Sequence, residues 1–299
     1  MDSILSRDKL TLSETLKAYL ELTKLRIVLL LCFTTVTTMI VAARGLPEFD
    51  TLVFTLFGGI LAAGGSSALN QYLDRDMDAK MTRTARRPIP SGRISPINAL
   101  MFGLMLVMWS VLVLVTLVNP LTGIVAFVGS LYYVVLYTMV LKRNTVVNIL
   151  IGGGAGAFPV LVGWAAVQNS LSFEAFLLFA IIFYWTPPHS WALALLVNRD
   201  YAAANVPMMP VARGEQATRV QIVLYSIQLL LITLVPAAFG VFGWIYVVLA
   251  TALGVGLVYK SIQLLYAQSK ALARSTYKYS TAYLAFLFLV MMLDVLVLG

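Results

Sequence analysis

One stretch of the chain decides its fold, because there an uncharged segment runs directly into a cluster of acids. Residues 51–78 read TLVFTLFGGILAAGGSSALNQYLDRDMD. Residues 51–71 carry no charged side chain, and about 20 apolar residues are enough for a helix to cross the hydrocarbon core of a bilayer. The stretch therefore predicts a membrane-spanning helix whose end presents polar side chains at the membrane boundary.

The rest of the chain has the same character. Of 299 residues, 60% are hydrophobic and 11% are charged, whereas a soluble domain carries roughly a quarter charged residues. This composition excludes a soluble enzyme. Apolar runs of about 20 residues predict an all-α polytopic membrane protein, a single domain over residues 1–299 with nine transmembrane helices. These spans lie near 27–43, 51–71, 97–117, 120–141, 147–166, 172–196, 219–239, 241–259 and 280–298.

The basic residues predict the orientation in the membrane. With a cytoplasmic N-terminus, twenty of the 21 lysines and arginines fall on the cytoplasmic side, and only Arg44 falls outside. Because cytoplasmic loops are enriched in Lys and Arg, we expect the N-terminus inside and the C-terminus outside, in a bacterial inner membrane. The same bias accounts for the net charge of +8 without a nucleic-acid partner. The single cysteine, Cys32, excludes an intrachain disulfide framework.

Residues 1–26 are interpreted as a cytoplasmic lead-in, and two long cytoplasmic connections follow later, 72–96 and 197–218. Four spans separate these connections, so the helices before them run in the same direction. That arrangement fits a parallel internal repeat around a central apolar chamber. Coincidence between two proline-containing loops is the alternative, and the sequence leaves it open.

The end of the second span carries the most informative spacing. If the helix continues past the apolar run, Asn70, Asp74 and Asp78 fall at i, i+4 and i+8 on one face. Like charges at i, i+4 destabilise a helix, so a cation is expected between them. Mg²⁺ fits because it binds through one or two carboxylates plus substrate phosphates. Asp76 is predicted to face away.

Basic residues follow at once: Lys80, Arg83, Arg86, Arg87 and Arg93. Acidic metal ligands beside such a cluster suit a diphosphate, since arginine binds phosphate oxygens bidentately. The alternative is a solvated loop whose basic residues only set the topology and touch anionic lipid. That alternative accounts for the arginines but not for the aligned acids.

The sixth span and the second loop supply further candidates. Pro187 and Pro188 free backbone carbonyls inside a span, which predicts that this segment lines a cavity. His189, the only histidine, is either a structural hydrogen-bonding residue, a contact of iron or acceptor, or a proton acceptor. Arg199 and Asp200 are either a second half-site for cation and phosphate or an ordinary turn.

These motifs together resemble a known family. The pattern Asn70-x-x-x-Asp74-x-x-x-Asp78, followed by Arg83-Thr-x-x-Arg87-Pro-Ile-Pro-Ser-Gly-Arg93, resembles the intramembrane prenyltransferases of the UbiA type. The segments Thr186-Pro-Pro-His189-x-Trp and Asp200-Tyr201-x-x-Ala-Asn-Val-Pro are similar to the branch of that family that farnesylates haem. The resemblance covers almost the whole chain.

The resemblance implies transfer of farnesyl from farnesyl diphosphate to a vinyl group of haem b, with water added, assisted by Mg²⁺. It implies metal and diphosphate binding by Asn70, Asp74 and Asp78, with Asp200 in a second motif. That second motif has Leu196 where a partner acid is expected, which puts a second metal site in doubt. It also implies contacts to diphosphate or haem propionates by Lys80, Arg83, Arg87 and Arg93. His189 becomes a candidate haem contact, and Arg199 and Tyr201 are further candidates for substrate binding.

Other functions remain open at this point. The acceptor could be an aromatic or quinone precursor in place of haem. A nine-span transporter is disfavoured because His189 and Asp294 are the only ionisable residues in the interior of the predicted spans. A scaffold for oxidase assembly does not explain the acids. Membrane lipid surrounds the chain in every case. A haem A synthase or a terminal oxidase assembly is the expected partner if the product is a farnesylated haem.

Overall fold

The structure, a computed structural model, describes residues 11–298, and within that range the regular elements are all helical. Its helices are α1 (Leu12–Thr23), α2 (Leu25–Ala43), α3 (Phe49–Asp78), α4 (Pro96–Leu117), α5 (Pro120–Leu131), α6 (Asn148–Gln168), α7 (Phe173–Leu196), α8 (Asn198–Ala203), α9 (Met209–Ala212), α10 (Glu215–Ala238), α11 (Trp244–Ala267) and α12 (Lys270–Leu298). A π-helix, Tyr132–Leu141, continues α5. The predicted all-α class is confirmed.

Within residues 11–298, eight helices are long and apolar enough to cross a membrane, namely α2, α3, α4, α5 with its π-helical extension, α6, α10, α11 and α12. The remaining predicted span, 172–196, corresponds to α7. This helix has 24 residues but falls short in apolar content because it contains Thr186, Pro187, Pro188 and His189. The helix runs without interruption through both prolines.

The predicted boundary between the last two spans is wrong. The sequence places a connection of about 20 residues between 259 and 280, whereas α11 ends at Ala267 and α12 begins at Lys270. Lys260, Arg274 and Lys278 lie on the extended helices. Charged residues end an apolar run without ending a helix, because lysine and arginine are good helix formers.

The chain enters the bundle through α1. Thr11 caps this helix in a reciprocal capping box with Glu14. Ala18 and Leu22 are fully buried and pack with Ala68 of α3. Lys24, in a left-handed conformation with φ 52°, then turns the chain into α2. Of the predicted lead-in, residues 1–10 lie outside the described range.

The two long connections meet at one end of the bundle. The first keeps α3 helical to Asp78, as predicted, and then forms turns before α4 begins. The second contains α8 and α9. Met77 and Met81, at the start of the first, pack in one buried cluster with Met208 of the second and with Trp191 and Leu195 at the end of α7, which leads into the second. This contact brings the two segments that carry the sequence motifs to the same place.

Candidate active site

The predicted polar face of α3 exists and is buried. Asn70, Asp74 and Asp78 are 2%, 0% and 2% exposed, and Asn70 Nδ2 donates to Asp74 Oδ2 at 2.8 Å. Asp76 faces away, as predicted, because its carboxylate is 60% exposed and accepts two hydrogen bonds from Arg143 at 2.7 and 2.8 Å. The helical period therefore buries Asp74 and leaves Asp76, two residues further on, exposed to solvent.

Each member of the buried face has a cationic partner. Lys24 Nζ donates to Asn70 Oδ1 at 2.9 Å, Lys142 Nζ donates to Asp74 Oδ2, and Arg87 Nη1 donates to Asp78 Oδ2 at 2.7 Å. The two acids are thus neutralised by Lys142 and Arg87, and the amide of Asn70 accepts from a third cation, Lys24.

Sequence reasoning missed the two lysines. Lys24 is 46 residues from Asn70 and Lys142 is 68 residues from Asp74 along the chain, so no local spacing connects them. One signal was available for Lys142, which directly follows a span on the same predicted side of the membrane as the acids.

The surroundings of Lys24 disfavour its charged form. Burial, together with the nearby positive charges of Arg87 and Lys142, lowers the pKa of Lys24 to about 7 against the opposing attraction of Asp74 and Asp78. The cavity beside it is lined by four cationic side chains, Lys24, Arg83, Arg87 and Lys142, and such an excess of positive charge suits an anionic ligand.

A cavity of about 210 Å³ opens beside this face. Its polar lining comprises Asn70, Asp78, Thr84, Lys24, Arg83, Arg87 and Lys142, together with the three tyrosines Tyr133, Tyr137 and Tyr201. One acid, four basic side chains and three aromatic rings therefore line one space that is wide enough for part of a small ligand.

The π-helix shapes one wall of this cavity. Asn70 Nδ2 donates to Thr138 Oγ1 at 3.1 Å, and Thr138 Oγ1 donates to the carbonyl of Tyr133 at 2.8 Å. The ring of Tyr137 can approach α6 because residue 152 is glycine. A Cβ there would lie 2.2 Å from Tyr137 Cδ2. Such π segments often occur at functional sites.

The structure brings some of the other predicted residues to the cavity and leaves others elsewhere. Arg83, Arg87 and Tyr201 line it, whereas its described lining does not include Lys80, Arg93, Arg199 or Asp200. Lys80 and Arg199 are exposed, and Asp200 is half-buried on α8. Arg93 instead donates to Glu21 Oε2 at 2.5 Å, which ties the first connection to α1.

His189 is not among the described residues that line the cavity. Its Nδ1 is 2.8 Å from Ser280 Oγ, and its ring lies between Trp185 and Tyr277, with centroids 4.2 and 4.7 Å away. These contacts supply the structural hydrogen bond considered from the sequence. A role for His189 toward an acceptor stays a prediction.

The donor set fits Mg²⁺ with a phosphorylated ligand. Among residues 11–298, no group of three His, Cys, Asp or Glu side chains could hold a metal alone. The site offers two carboxylates and one amide oxygen, and Asp74 Oδ1 is buried without a hydrogen-bond partner in the described part of the chain. Because Mg²⁺ usually takes one or two carboxylates and completes its shell with water and phosphate oxygens, this incomplete set suits it.

Comparison with known proteins yields matches over most of the chain. Residues 30–290 match the family model described as the UbiA prenyltransferase family. The protoheme IX farnesyltransferase of Roseiflexus castenholzii is 50% identical over 279 residues, which are 93% of this chain and 52% of that protein. The enzyme of the same name from Symbiobacterium thermophilum is 47% identical over 97% of this chain and 98% of its own length. The chain spans about half the length of several curated relatives that it matches.

Solved structures share the fold at low identity. A digeranylgeranylglyceryl phosphate synthase superimposes with a TM-score of 0.79 at 17% identity, covering 94% of this chain and 99% of that one. A UbiA homolog from Archaeoglobus fulgidus bound to GPP and Mg²⁺ gives a TM-score of 0.67 at 15% identity, covering 92% and 99%. These likenesses establish the helical architecture.

Proposed function

The chain belongs to the UbiA prenyltransferase family, and on that premise we propose that it transfers the farnesyl group of farnesyl diphosphate to a vinyl group of haem b. Water adds in the same reaction, so the products are haem O and diphosphate. Support for haem as acceptor comes from the protoheme IX farnesyltransferases that are 47–50% identical to this chain. The family's membrane character agrees with the long apolar helices.

The observation that carries the proposal is the buried face of Asn70, Asp74 and Asp78 beside a cavity rich in basic residues. These three side chains would hold Mg²⁺. A solved UbiA homolog of the same fold is bound to GPP and Mg²⁺, which supports a site for the two together. When bound, Mg²⁺ supplies positive charge that favours departure of diphosphate. We place the diphosphate against Arg83, Arg87, Lys24 and Lys142, which line the cavity.

Ionisation of farnesyl diphosphate breaks the bond between the allylic carbon and oxygen. The basic side chains stabilise charge on the leaving diphosphate, and this preorganised arrangement requires no rearrangement of water. The rings of Tyr133 and Tyr137 stack at 5.7 Å beside the same cavity, where aromatic faces stabilise an allylic cation. The vinyl carbon of the acceptor then forms the new bond, and water captures the resulting cation and releases a proton.

The acceptor side is assigned from the motif residues outside the cavity. Asp200 lies next to Tyr201, which reaches the cavity, and we place it in the second half-site. Lys80, Arg93 and Arg199 are candidates for the haem propionates, and His189 is a candidate contact of the porphyrin. An aromatic or quinone acceptor is the second possibility, since the side chains that would bind Mg²⁺ and diphosphate would serve that reaction equally well.

We further place the chain in a bacterial inner membrane with its N-terminus cytoplasmic and its C-terminus outside. The distribution of lysine and arginine supports this orientation. Haem O would pass to a haem A synthase or to a terminal oxidase assembly.

The proposal is tested in membranes that contain the chain, supplied with haem b, farnesyl diphosphate and Mg²⁺. Reversed-phase chromatography of extracted haem should show a more retained product, which EDTA abolishes. Asp74→Ala and Asp78→Ala should abolish the product at unchanged protein yield, whereas Asp76→Ala should retain it. Prenylation of a quinone precursor but not of haem would transfer the assignment to the second acceptor class.

A further inference from the structure

Helix α1 presents three faces with different surroundings. Ala18 and Leu22 are fully buried against α3 and the first connection. Leu12, Leu16 and Leu20, at successive i+4 positions, are 77%, 57% and 57% exposed. A third arc, which contains Ser13, Lys17 and Glu21, is exposed and polar. At about 100° per residue, each of these two exposed rows covers about 80° of the helix surface.

A helix with separate protein, apolar and polar faces is suited to the boundary between lipid and water. The apolar row of α1 leads into α2, where Leu25, Ile27 and Leu29 are also exposed on a helix apolar enough to span a membrane. The exposed charges of α1, Glu14, Lys17 and Glu21, are of mixed sign and lie off the leucine row, where water and headgroups can solvate them. The continuity of the leucine row with the exposed apolar start of a membrane-spanning helix favours lipid over a second protein as its cover.

The C-terminal end of α1 is fixed to the candidate site. Gln71 Nε2 donates to the carbonyls of Glu21 and Leu22 at 3.2 and 3.0 Å, and Lys24 immediately after the helix bonds to Asn70. A force that holds α1 in place therefore also holds the Lys24 ammonium against the polar face of α3.

We propose that α1 lies in the headgroup–acyl boundary of the membrane, with Leu12, Leu16 and Leu20 as its lipid contacts, and that this contact fixes Lys24 at Asn70. The lipid is thereby a structural partner of the site. This inference concerns only the position of α1 and is independent of which acceptor the enzyme uses.

The position of α1 is measured with fluorescent labels on neighbouring residues. In a Cys32→Ala background, Leu16→Cys and Lys17→Cys are labelled with an environment-sensitive dye and reconstituted in vesicles of phosphatidylcholine and phosphatidylglycerol. The Leu16 label should emit further to the blue and be quenched several-fold more by nitroxide on lipid acyl chains. The Lys17 label should be quenched by aqueous iodide. Equal access of iodide to both labels would overturn the proposal, and so would a Leu16 label shielded from both quenchers, which indicates a protein cover.

Hydrogen exchange tests the anchoring of α1 and its link to the site without using activity. Replacing all three leucines by glutamine should accelerate exchange of the α1 amides and of the Lys24 amide, which bonds to the Glu21 carbonyl, at least about tenfold in vesicles, whereas Lys17→Gln should leave them unchanged. Acceleration in α1 with no change at Lys24 would overturn the link to the site. If the α1 amides exchange at the same rate in the triple variant and in the unmodified chain, the leucine row does not anchor the helix.

Discussion

Asp74→Asn is expected to weaken the binding of Mg²⁺ with diphosphate while the fold persists. Asp74 is fully buried and accepts from both Asn70 and Lys142. Asparagine keeps the size and one acceptor oxygen but removes the charge. Lys142, whose side chain is 17% exposed, can then turn toward the cavity, so the change affects ligand affinity more than stability.

The magnitude follows from the kind of contact that is lost. A hydrogen bond or ligand contact to a charged group contributes about 1.5–3 kcal/mol, which corresponds to a Kd raised about 10- to 150-fold. The matched control is Asp76→Asn, two residues along the same helix. Its carboxylate is 60% exposed, and surface ion pairs contribute only about 0–1 kcal/mol to stability. We expect no change in Mg²⁺–diphosphate affinity for the control.

Isothermal titration calorimetry of the detergent-solubilised protein measures both affinities, with inorganic diphosphate as the probe and Mg²⁺ in excess. Size-exclusion elution and the thermal midpoint establish that each variant is folded. If Asp74→Asn and Asp76→Asn bind equally tightly, the buried face of α3 is not the cation site, and its burial then serves packing alone.

Three other changes have definite expected results. Lys24→Met should raise KM for the prenyl diphosphate about tenfold or more, since a charged donor is lost, and should leave the thermal midpoint unchanged or higher because a buried charge is removed. Gly152→Ala should displace the Tyr137 ring, with a cost of about 1–3 kcal/mol in denaturation, whereas Gly156→Ala meets nothing within 4 Å and should be neutral. The hydrogen bond from Arg93 lowers the pKa of Glu21 below its ordinary value of 4.5. The folded protein should therefore be more stable than the Glu21→Gln variant above pH 4.5, and this difference should disappear as pH falls below that value. Thermal unfolding of both proteins across this pH range measures it.

The polar face was predictable because its geometry is local. Asn70, Asp74 and Asp78 follow one another at the helical period, and the same period places Asp76 on the opposite side. The length of each apolar run likewise indicated most of the spans. Both inferences use only residues that are neighbours on a single helix.

The cations that complete the site were not predictable in the same way. Lys142 and Lys24 reach α3 through tertiary packing, and Arg93 bonds to Glu21, which is 72 residues away. A basic residue beside a membrane has several roles open to it, including topology and lipid contact, and only the packed helices decide between them. The helix ends near residue 260 were misplaced for a related reason, because charge marks the edge of the apolar run and not the edge of the helix.

The π-helix from Tyr132 to Leu141 makes chain length critical in one short region. Its backbone closes onto the fifth residue back, as in the bond from Lys142 N to the carbonyl of Tyr137 at 2.8 Å. Deleting one residue there would change the winding of this segment, and with it the directions in which the Tyr133 and Tyr137 rings and the Lys142 side chain leave the helix. Insertions and deletions should consequently be tolerated in the loops long before they are tolerated in these ten residues.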